Sequence, residues 1–311
     1  MSSSPLDKLK DMFSDASENV SKSYSSFTED KSTSYYIYVG LLLVIIICLL
    51  IAYFLYYFIT TKLFLNIRQI VDETRIPIIC TERRRFDFDI KKTGNGERRS
   101  YTFWIYIHDM NRFNGSYKNV FNIQPTKDDN NYQTASPCVL LDKTDNKMYI
   151  HFAKTKKDTE VISYSALSTE NLKKLMKRGI VIPYIPLQRW VHVAVVCNAN
   201  SYKNYLYAYV DGDLVSTTSH NEKDKYLGDN DASRKNLLDI NINLSGIINV
   251  GGELNSTEGP GFSGLVSKIT TFNYELNQRD VYNDYYWGPI GNIFARLGLG
   301  MYGIRNPIYK L

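Results

Sequence analysis

Few residues in this sequence sit at spacings that could do covalent chemistry. Glycoside hydrolysis needs two carboxyl groups roughly 5–10 Å apart. The nearest alternating acidic run is Phe86-Asp87-Phe88-Asp89, and it precedes the first clear strand pattern. His108, His151, His192 and His220 are scattered, and His192 falls inside a strand-like run, where hydrogen bonding satisfies a ring more often than catalysis uses it. There is no G-x-S-x-G elbow, P-loop or dinucleotide fingerprint. Cys48, Cys80, Cys138 and Cys197 form no CxxC or Cys/His cluster, which argues against zinc and against a disulfide-built domain and leaves free, mostly buried thiols. The remaining chemistry is that of recognition. Trp104, Tyr106, Tyr205, Tyr207 and Tyr209 alternate along strand-like runs. Such rings suit a sugar platform, and equally a sheet surface or a sandwich interior. Arg83, Arg84 and Arg85 form a basic run suited to anionic lipid head groups, at about 1 kcal/mol per residue near a bilayer, or to a simple topology signal.

These residues must be held by something, and composition permits a core: 44% of the 311 residues are hydrophobic and 22% charged. A net charge of +5 is too mild for a nucleic-acid partner, which calls for a basic stripe. YYIYVGLLLVIIICLLIAYFLYYF, from Tyr35, has no charged residue and carries aromatics at both ends, as a bilayer-spanning helix does. Residues 36–58 would rise about 34 Å as a helix against a hydrocarbon core of about 30 Å. The run starts too late and is too long for a cleaved signal peptide. Residues 1–35 hold four Lys against six acidic residues, whereas Lys62, Arg68, Arg75 and Arg83 to Arg85 follow the helix. The positive side stays cytosolic, so the C-terminal part is expected on the cytosolic face. Sequons at Asn114, Asn243 and Asn255 point the other way.

Before the helix lies a Ser-rich polar tail, in which Ser4 and Pro5 could open a short helix with Leu6, Leu9 and Phe13 on one face. After it, residues 59–92 read as a basic juxtamembrane stalk. From about residue 93 the pattern becomes short alternating strands. SYTFWIYIHDM puts Tyr101, Phe103, Ile105 and Ile107 on one face and Thr102, Trp104, Tyr106 and His108 on the other. CVLLDKTDNKMYIHFAK reads as two strands joined through Thr144–Lys147, and Asp211-Gly212 as a tight hairpin turn. NLKKLMKRG reads as a short helix closed by Gly179. Many short strands with turns between them predict an all-β, antiparallel β-sandwich behind one N-terminal transmembrane α-helix.

The ordered series WVHVAVV, YLYAYVDG, INVGG and FSGLVSKITTFNYELN, within residues 93–288, resembles the concanavalin A-like jelly roll, in its laminin G-like and pentraxin-like forms. The resemblance implies a fold that hosts lectins, glycan hydrolases and adhesion modules, with a short helix near Asn277–Tyr285 after the last strand. Hydrolases of this fold usually carry Glu-x-Asp-x-Glu on one strand, and this sequence has no such run. Pentraxin-like members bind Ca²⁺ through an Asp-Asn pair and an acidic loop. Asp145-Asn146 falls at the first position, and Glu253, Asn255 and Glu258 at the second, so the resemblance implies a Ca²⁺ shell of hard oxygens there. Leu254 replaces an oxygen-bearing residue, Lys143 and Lys147 oppose a cation, and Asp-Asn is also an ordinary turn.

Residues 289–311, PIGNIFARLGLGMYGIRNPIYKL, are apolar and Gly-rich, too interrupted to span a bilayer, and read as a docking tail. A tethered jelly roll with such a tail, in a chain rich in Asn, Lys, Ile and Tyr, is similar to membrane-associated virion proteins of large DNA viruses. The sequence thus predicts a non-enzymatic single-pass membrane protein. Its expected partners are the lipid bilayer and capsid or other structural proteins. The alternatives are a tethered lectin binding glycans, with calcium as a cofactor, and more remotely a glycan hydrolase.

Overall fold

In a computed structural model, the described residues are 14–15, 17–19, 22, 33–58, 67–71, 76–89, 98–111, 115–126, 131–155, 161–162, 167–199, 204–224, 234–252 and 261–289. Two compact units divide the chain, Met1–Leu65 and Asn66–Leu311.

In the first unit the described residues are helical. Glu18 and Lys22 form an i,i+4 ion pair at 2.8 Å. Helix α1, Thr33–Phe58, lacks any charged side chain. Its stretch Tyr36–Phe58 is long and apolar enough to cross a membrane, and within its own unit none of it is buried. An apolar helix with no packed face has no aqueous rationale, which is what a lipid-facing rod looks like.

The second unit is an antiparallel sandwich. Strands β1 (Arg68–Ile70), β2 (Ile78–Ile79), β4 (Arg98–Asp109), β10 (Trp190–Asn198), β11 (Tyr205–Val210), β12 (Asp213–Ser219) and β15 (Ser263–Phe272) form one sheet in the order β1-β15-β4-β10-β11-β12, with β2 also on β15. Strands β3 (Arg84–Asp89), β14 (Ser245–Val250), β5 (Lys118–Gln124), β6 (Cys138–Leu141), β7 (Met148–His151) and β9 (Gly179–Ile182) form the other, in that order. Short β8 (Ala153–Lys154) and β13 (Ile240–Asn241) pair with each other. The period-2 alternation decides which side chains meet between the sheets. Tyr101, Phe103, Ile105 and Ile107 of β4 and Val191, Val193, Val195 and Cys197 of β10 face Phe121, Ile123, Val139, Leu141 and Ile150 in one buried cluster. Phe103 meets Phe121 edge-to-face at 5.1 Å. Cys80, Cys138 and Cys197 are buried and Cys48 is exposed on α1, and none of the four is in a disulfide.

Asp211 (φ 52°) and Gly212 (φ 90°) make the two-residue turn between β11 and β12, both in the left-handed region that such a hairpin requires. Two helices lie on the outer faces. Helix α2 (Thr169–Met176) is capped by Ser168 Oγ and buries Leu172, Leu175 and Met176. Helix α3 (Gln278–Tyr286) opens on a capping box, with Asn277 and Asp280 satisfying each other's backbone N–H groups.

Two expectations are corrected. Residues 59–92 are not simply a stalk: β1, β2 and β3 bring the described part of this segment into both sheets. The Arg and Asp density hid the strand pattern, in which Phe88 is buried while Asp87 and Asp89 face out. Gly179 does not close α2 by a left-handed turn. It opens β9, where a Cβ would lie 2.4 Å from the Ile150 carbonyl oxygen, so glycine is needed for close approach.

Candidate functional site

Three constellations emerge when the sequence-predicted residues are placed on this frame. The first is buried beneath α3. On the outer face of the seven-stranded sheet, β4 presents Thr102 and Trp104, and β10 places His192 directly opposite Trp104. Helix α3 lowers Asp284 onto them. Asp284 Oδ2 accepts from Thr102 Oγ1 at 2.7 Å and lies 3.2 Å from His192 Nε2. A carboxylate only accepts, so Nε2 carries the proton. Asp284 Oδ1 accepts from Arg68 Nη2 at 2.8 Å, with Lys268 Nζ at 3.4 Å. Lys268 reaches this position through a register break in β15, where its own φ is 51°. Burial raises the pKa of Asp284, but the His192 hydrogen bond and the charges of Lys268 and Arg68 outweigh it and hold the carboxyl well below the usual range.

A His–Asp pair invites a catalytic reading, and the geometry answers it. His192 is fully buried, and its Nδ1 meets no hydrogen-bond partner among the described residues. Trp104 and Tyr285 flank the ring at 5.2 and 6.0 Å, with Trp104 stacked on Tyr285 at 5.7 Å. No nucleophile stands at the free nitrogen among the described residues, so the cluster lacks the hydroxyl-to-imidazole geometry of acyl transfer. What the arrangement does is bolt α3 to the sheet.

The second constellation is the open end of that same face. Tyr205 and Tyr207 stack at 4.5 Å with 23° between their planes, and both are half-buried. Tyr205 Oη donates to Glu275 Oε2 at 3.1 Å, and Arg98 Nε lies 3.7 Å from Glu275 Oε1. Asn198, Thr217 and Ser219 flank the rings across the ladder. Burial, offset in part by the Asn198 hydrogen bond and reinforced by Glu275, pushes the Tyr205 hydroxyl's pKa up, so it is a donor at neutral pH. The five aromatics named from the sequence thus share one face with different fates. Trp104 and Tyr209 are covered, Tyr106 packs on Trp190 at 5.7 Å, and Tyr205 and Tyr207 remain accessible.

The third is the hairpin between β6 and β7, where Asp145 and Asn146 were expected to hold calcium. Asp142 Oδ1 accepts from the Thr144 and Asp145 N–H groups, and Tyr149 Oη donates to Asp142 Oδ2 at 2.6 Å. Asp145 Oδ2 pairs with Lys147 Nζ at 2.6 Å, and Asn146 Nδ2 donates to the Ile185 carbonyl at 2.9 Å. The buried Lys118 ammonium donates to the carbonyl oxygens of Asp142 and Lys143 at 3.1 and 2.7 Å. A positive charge therefore already occupies the oxygen-rich side of this turn, and the described side chains there are engaged by protein partners. No group of three or more metal-ligating side chains occurs among the described residues. Glu253, Asn255 and Glu258 lie outside them, and so do Asn114 and all but Pro289 of the tail 289–311. Of the basic run, Arg84 and Arg85 are exposed on edge strand β3, and Arg83 just precedes it.

Sequence reasoning missed an amide chain on the outer face of the second sheet. Asn249 Nδ2 donates to Asn122 Oδ1 and Gln124 Oε1 at 3.1 and 2.9 Å, Asn122 to Asn119 at 3.1 Å, and Asn119 to the Gly251 carbonyl at 3.1 Å. All four side chains are buried. Asn243, a sequon named from the sequence, is also buried, with Nδ2 donating to the Ile123 and Thr134 carbonyls. It has no room for a glycan.

Neither a family model nor a curated protein matches this chain. Solved structures do. The botulinum neurotoxin serotype D binding domain matches at 15% identity over 72% of this chain and 47% of that domain, with a TM-score of 0.38. The native heptameric SAP-like pentraxin from Limulus polyphemus matches at 12% identity, 69% and 87% coverage, and TM-score 0.36. The Ruminococcus gnavus IT-sialidase CBM40 bound to α2,3-sialyllactose matches at 10%, 70% and 97%, and 0.37. The chain thus spans about half of the botulinum binding domain. Likeness at this level says nothing about activity, and the sandwich stands on its own strand pairing. The virion resemblance read from the sequence has no counterpart among these three.

Proposed function

We propose that this chain is a single-pass membrane protein whose sandwich binds another protein without transforming it, on the cytosolic face of the bilayer. The observation that carries this reading is the accessible Tyr205–Tyr207 stack beside the Glu275 carboxylate and the Arg98 guanidinium. Tyr and Arg side chains anchored by neighbours are the residues on which protein interfaces concentrate their energy. The basic excess after α1, the buried cysteines outside any disulfide and the enclosed Asn243 support the cytosolic side. Capsid or other structural proteins are the partner class the sequence suggests, with Arg84 and Arg85 available to anionic lipid.

A second reading is favoured by the same stacked rings: an aromatic platform edged by a carboxylate and an amide also suits a glycan. One experiment separates them. A photo-crosslinking residue at position 207 of the full chain, in the membrane of its native cell, is expected to capture a discrete protein adduct that Glu275→Arg abolishes. The purified full chain in nanodiscs is screened in parallel on a glycan array. Glycan binding lost by about tenfold in Tyr207→Ala, about 1.4 kcal/mol, without any protein adduct selects the lectin.

A further inference from the structure

We propose that β12 is a pairing edge through which two copies of this chain join their seven-stranded sheets. The two sheets end in four strands, and three are guarded. Strand β1 has three residues, and its Arg68 is held by Asp284. Strand β3 carries Arg84, Arg85, Asp87 and Asp89. Strand β9 is buried, and Lys235 Nζ closes on its Gly179 carbonyl at 2.7 Å. Natural proteins blunt sheet edges by these devices: shortness, charge and cover.

Strand β12 is neither short nor charged along its middle, and its one guard there is the bulge at Val215. It runs seven residues, DLVSTTS, with no Lys, Arg or Pro. Leu214 and Val215 are 46% and 39% exposed, so no described residue covers these two. The backbone is turned the right way. His220 N–H donates to the Asn204 carbonyl, which continues the ladder as hydrogen-bonded pairs at Thr218–Leu206 and Ser216–Ala208. By alternation, Thr217 directs its own N–H and C=O away from β11. Val215 is the extra residue at the register break between Ala208 and Tyr209. At the far end Glu222 Oε2 takes the Ser219 N–H at 2.8 Å, which limits the open stretch to about residues 213–218.

The segment is its own complement. An antiparallel two-fold centred on Ser216 sets Val215 against Thr217 of the second copy, once on each side of the axis. No like charges oppose, and a β-branched residue meets a β-branched residue in the nearest pair. A two-fold is closed, so pairing uses both edges and leaves none for a fibre. Because every copy carries α1, membrane insertion confines copies to one plane and raises their effective concentration, so a short interface suffices. Such a two-fold runs perpendicular to the sheet. The two Tyr205–Tyr207 faces then lie on the same side, giving a bivalent surface. The pairing itself does not depend on what those tyrosines bind.

The test uses the full chain in detergent and in nanodiscs, with oligomeric state followed against concentration by sedimentation. Expected is a monomer–dimer equilibrium that Val215→Lys/Thr217→Lys weakens at least tenfold while the melting temperature holds, since both side chains sit on an exposed edge. Tyr207→Ala is expected to keep the dimer, which separates this proposal from the ligand role of that face. A wild-type chain that stays monomeric overturns the proposal. So does a dimer that survives the double substitution, or one that is lost only on substitution within Tyr36–Phe58.

Discussion

Thr102 Oγ1 donates to Asp284 Oδ2 across 2.7 Å, joining residues 182 positions apart in the chain. That bond, with those from Arg68, Lys268 and His192, makes Asp284 the point at which the C-terminal helix is fixed to the sheet. Removing a buried partner leaves its counter-charges uncompensated, at a cost of about 3–5 kcal/mol. Asp284→Ala is therefore expected to lower the urea midpoint by a corresponding amount and to expose Trp104, which reports through its fluorescence. Arg68→Ala, at a half-exposed position, is expected to cost far less. Equal losses in the two variants would contradict the hub.

Acid should unfold this domain early, and two groups give the same sign. Burial, aided by the nearby Arg178 charge, pushes His151 down to about 3 in the folded state. Between about pH 6.5 and pH 3 the unfolded chain then binds a proton that the folded chain does not, so stability falls as pH drops through that window. The full effect is on the order of 5 kcal/mol. Asp284, whose folded pKa is depressed, adds a further loss as pH falls below the ordinary carboxylate range. His151→Phe is expected to flatten the melting-temperature profile between pH 6.5 and 4 while leaving the steeper fall below it. A profile identical to wild type would exclude His151 as the sensor.

The sequence carried the sandwich because its central strands alternate cleanly. Tyr101, Phe103, Ile105 and Ile107 enter the core as their spacing requires, and Asp211-Gly212 turns where a positive φ is needed. What it hid has two physical causes. Strands β1 to β3 are short edge or rim pieces whose exposed side chains are charged, so their composition imitates a linker. The Asp284 cluster gathers Arg68, Thr102, His192 and Lys268 from four strands, and the position of Lys268 depends on a break in pairing that no periodicity announces. One signal was present. Asp284 stands three residues after Val281 on α3, the side that packs against the sheet, and an acidic residue there must find partners.

Lys235 offers a second test of buried charge. Its Nζ donates to Asp224 Oδ2 and to the Met176 and Gly179 carbonyls, with both charged side chains 3% exposed. Three donors meet three acceptors, so the ammonium is saturated while it closes both the end of α2 and the edge of β9. Lys235→Met is expected to cost about 3–5 kcal/mol by removing the buried ammonium that balances Asp224. Lys235→Met/Asp224→Leu is expected to recover much of it, because removing both charges also removes the desolvation penalty. A double variant no more stable than the single would show that the two carbonyl contacts, and not the ion pair, dominate.

Calcium supplies the sharpest contrast between resemblance and geometry. A cation that binds only the folded form raises stability by about 2.7 kcal/mol at a hundredfold excess over its dissociation constant. At the β6–β7 hairpin, Lys118 already satisfies the Asp142 and Lys143 carbonyls, Lys147 holds Asp145, and Asn146 spends its amide on Ile185. Burial lowers the pKa of Lys118, yet the Asp142 charge and the two carbonyls favour the ammonium that bridges them. Millimolar calcium is therefore expected to leave the melting temperature of the full chain unchanged, and a chelator equally so. Lys118→Met, by contrast, is expected to destabilise the hairpin whether or not calcium is present. A calcium-dependent rise that disappears in Asp145→Ala would instead mean that Glu253, Asn255 and Glu258 complete a shell strong enough to displace the lysines.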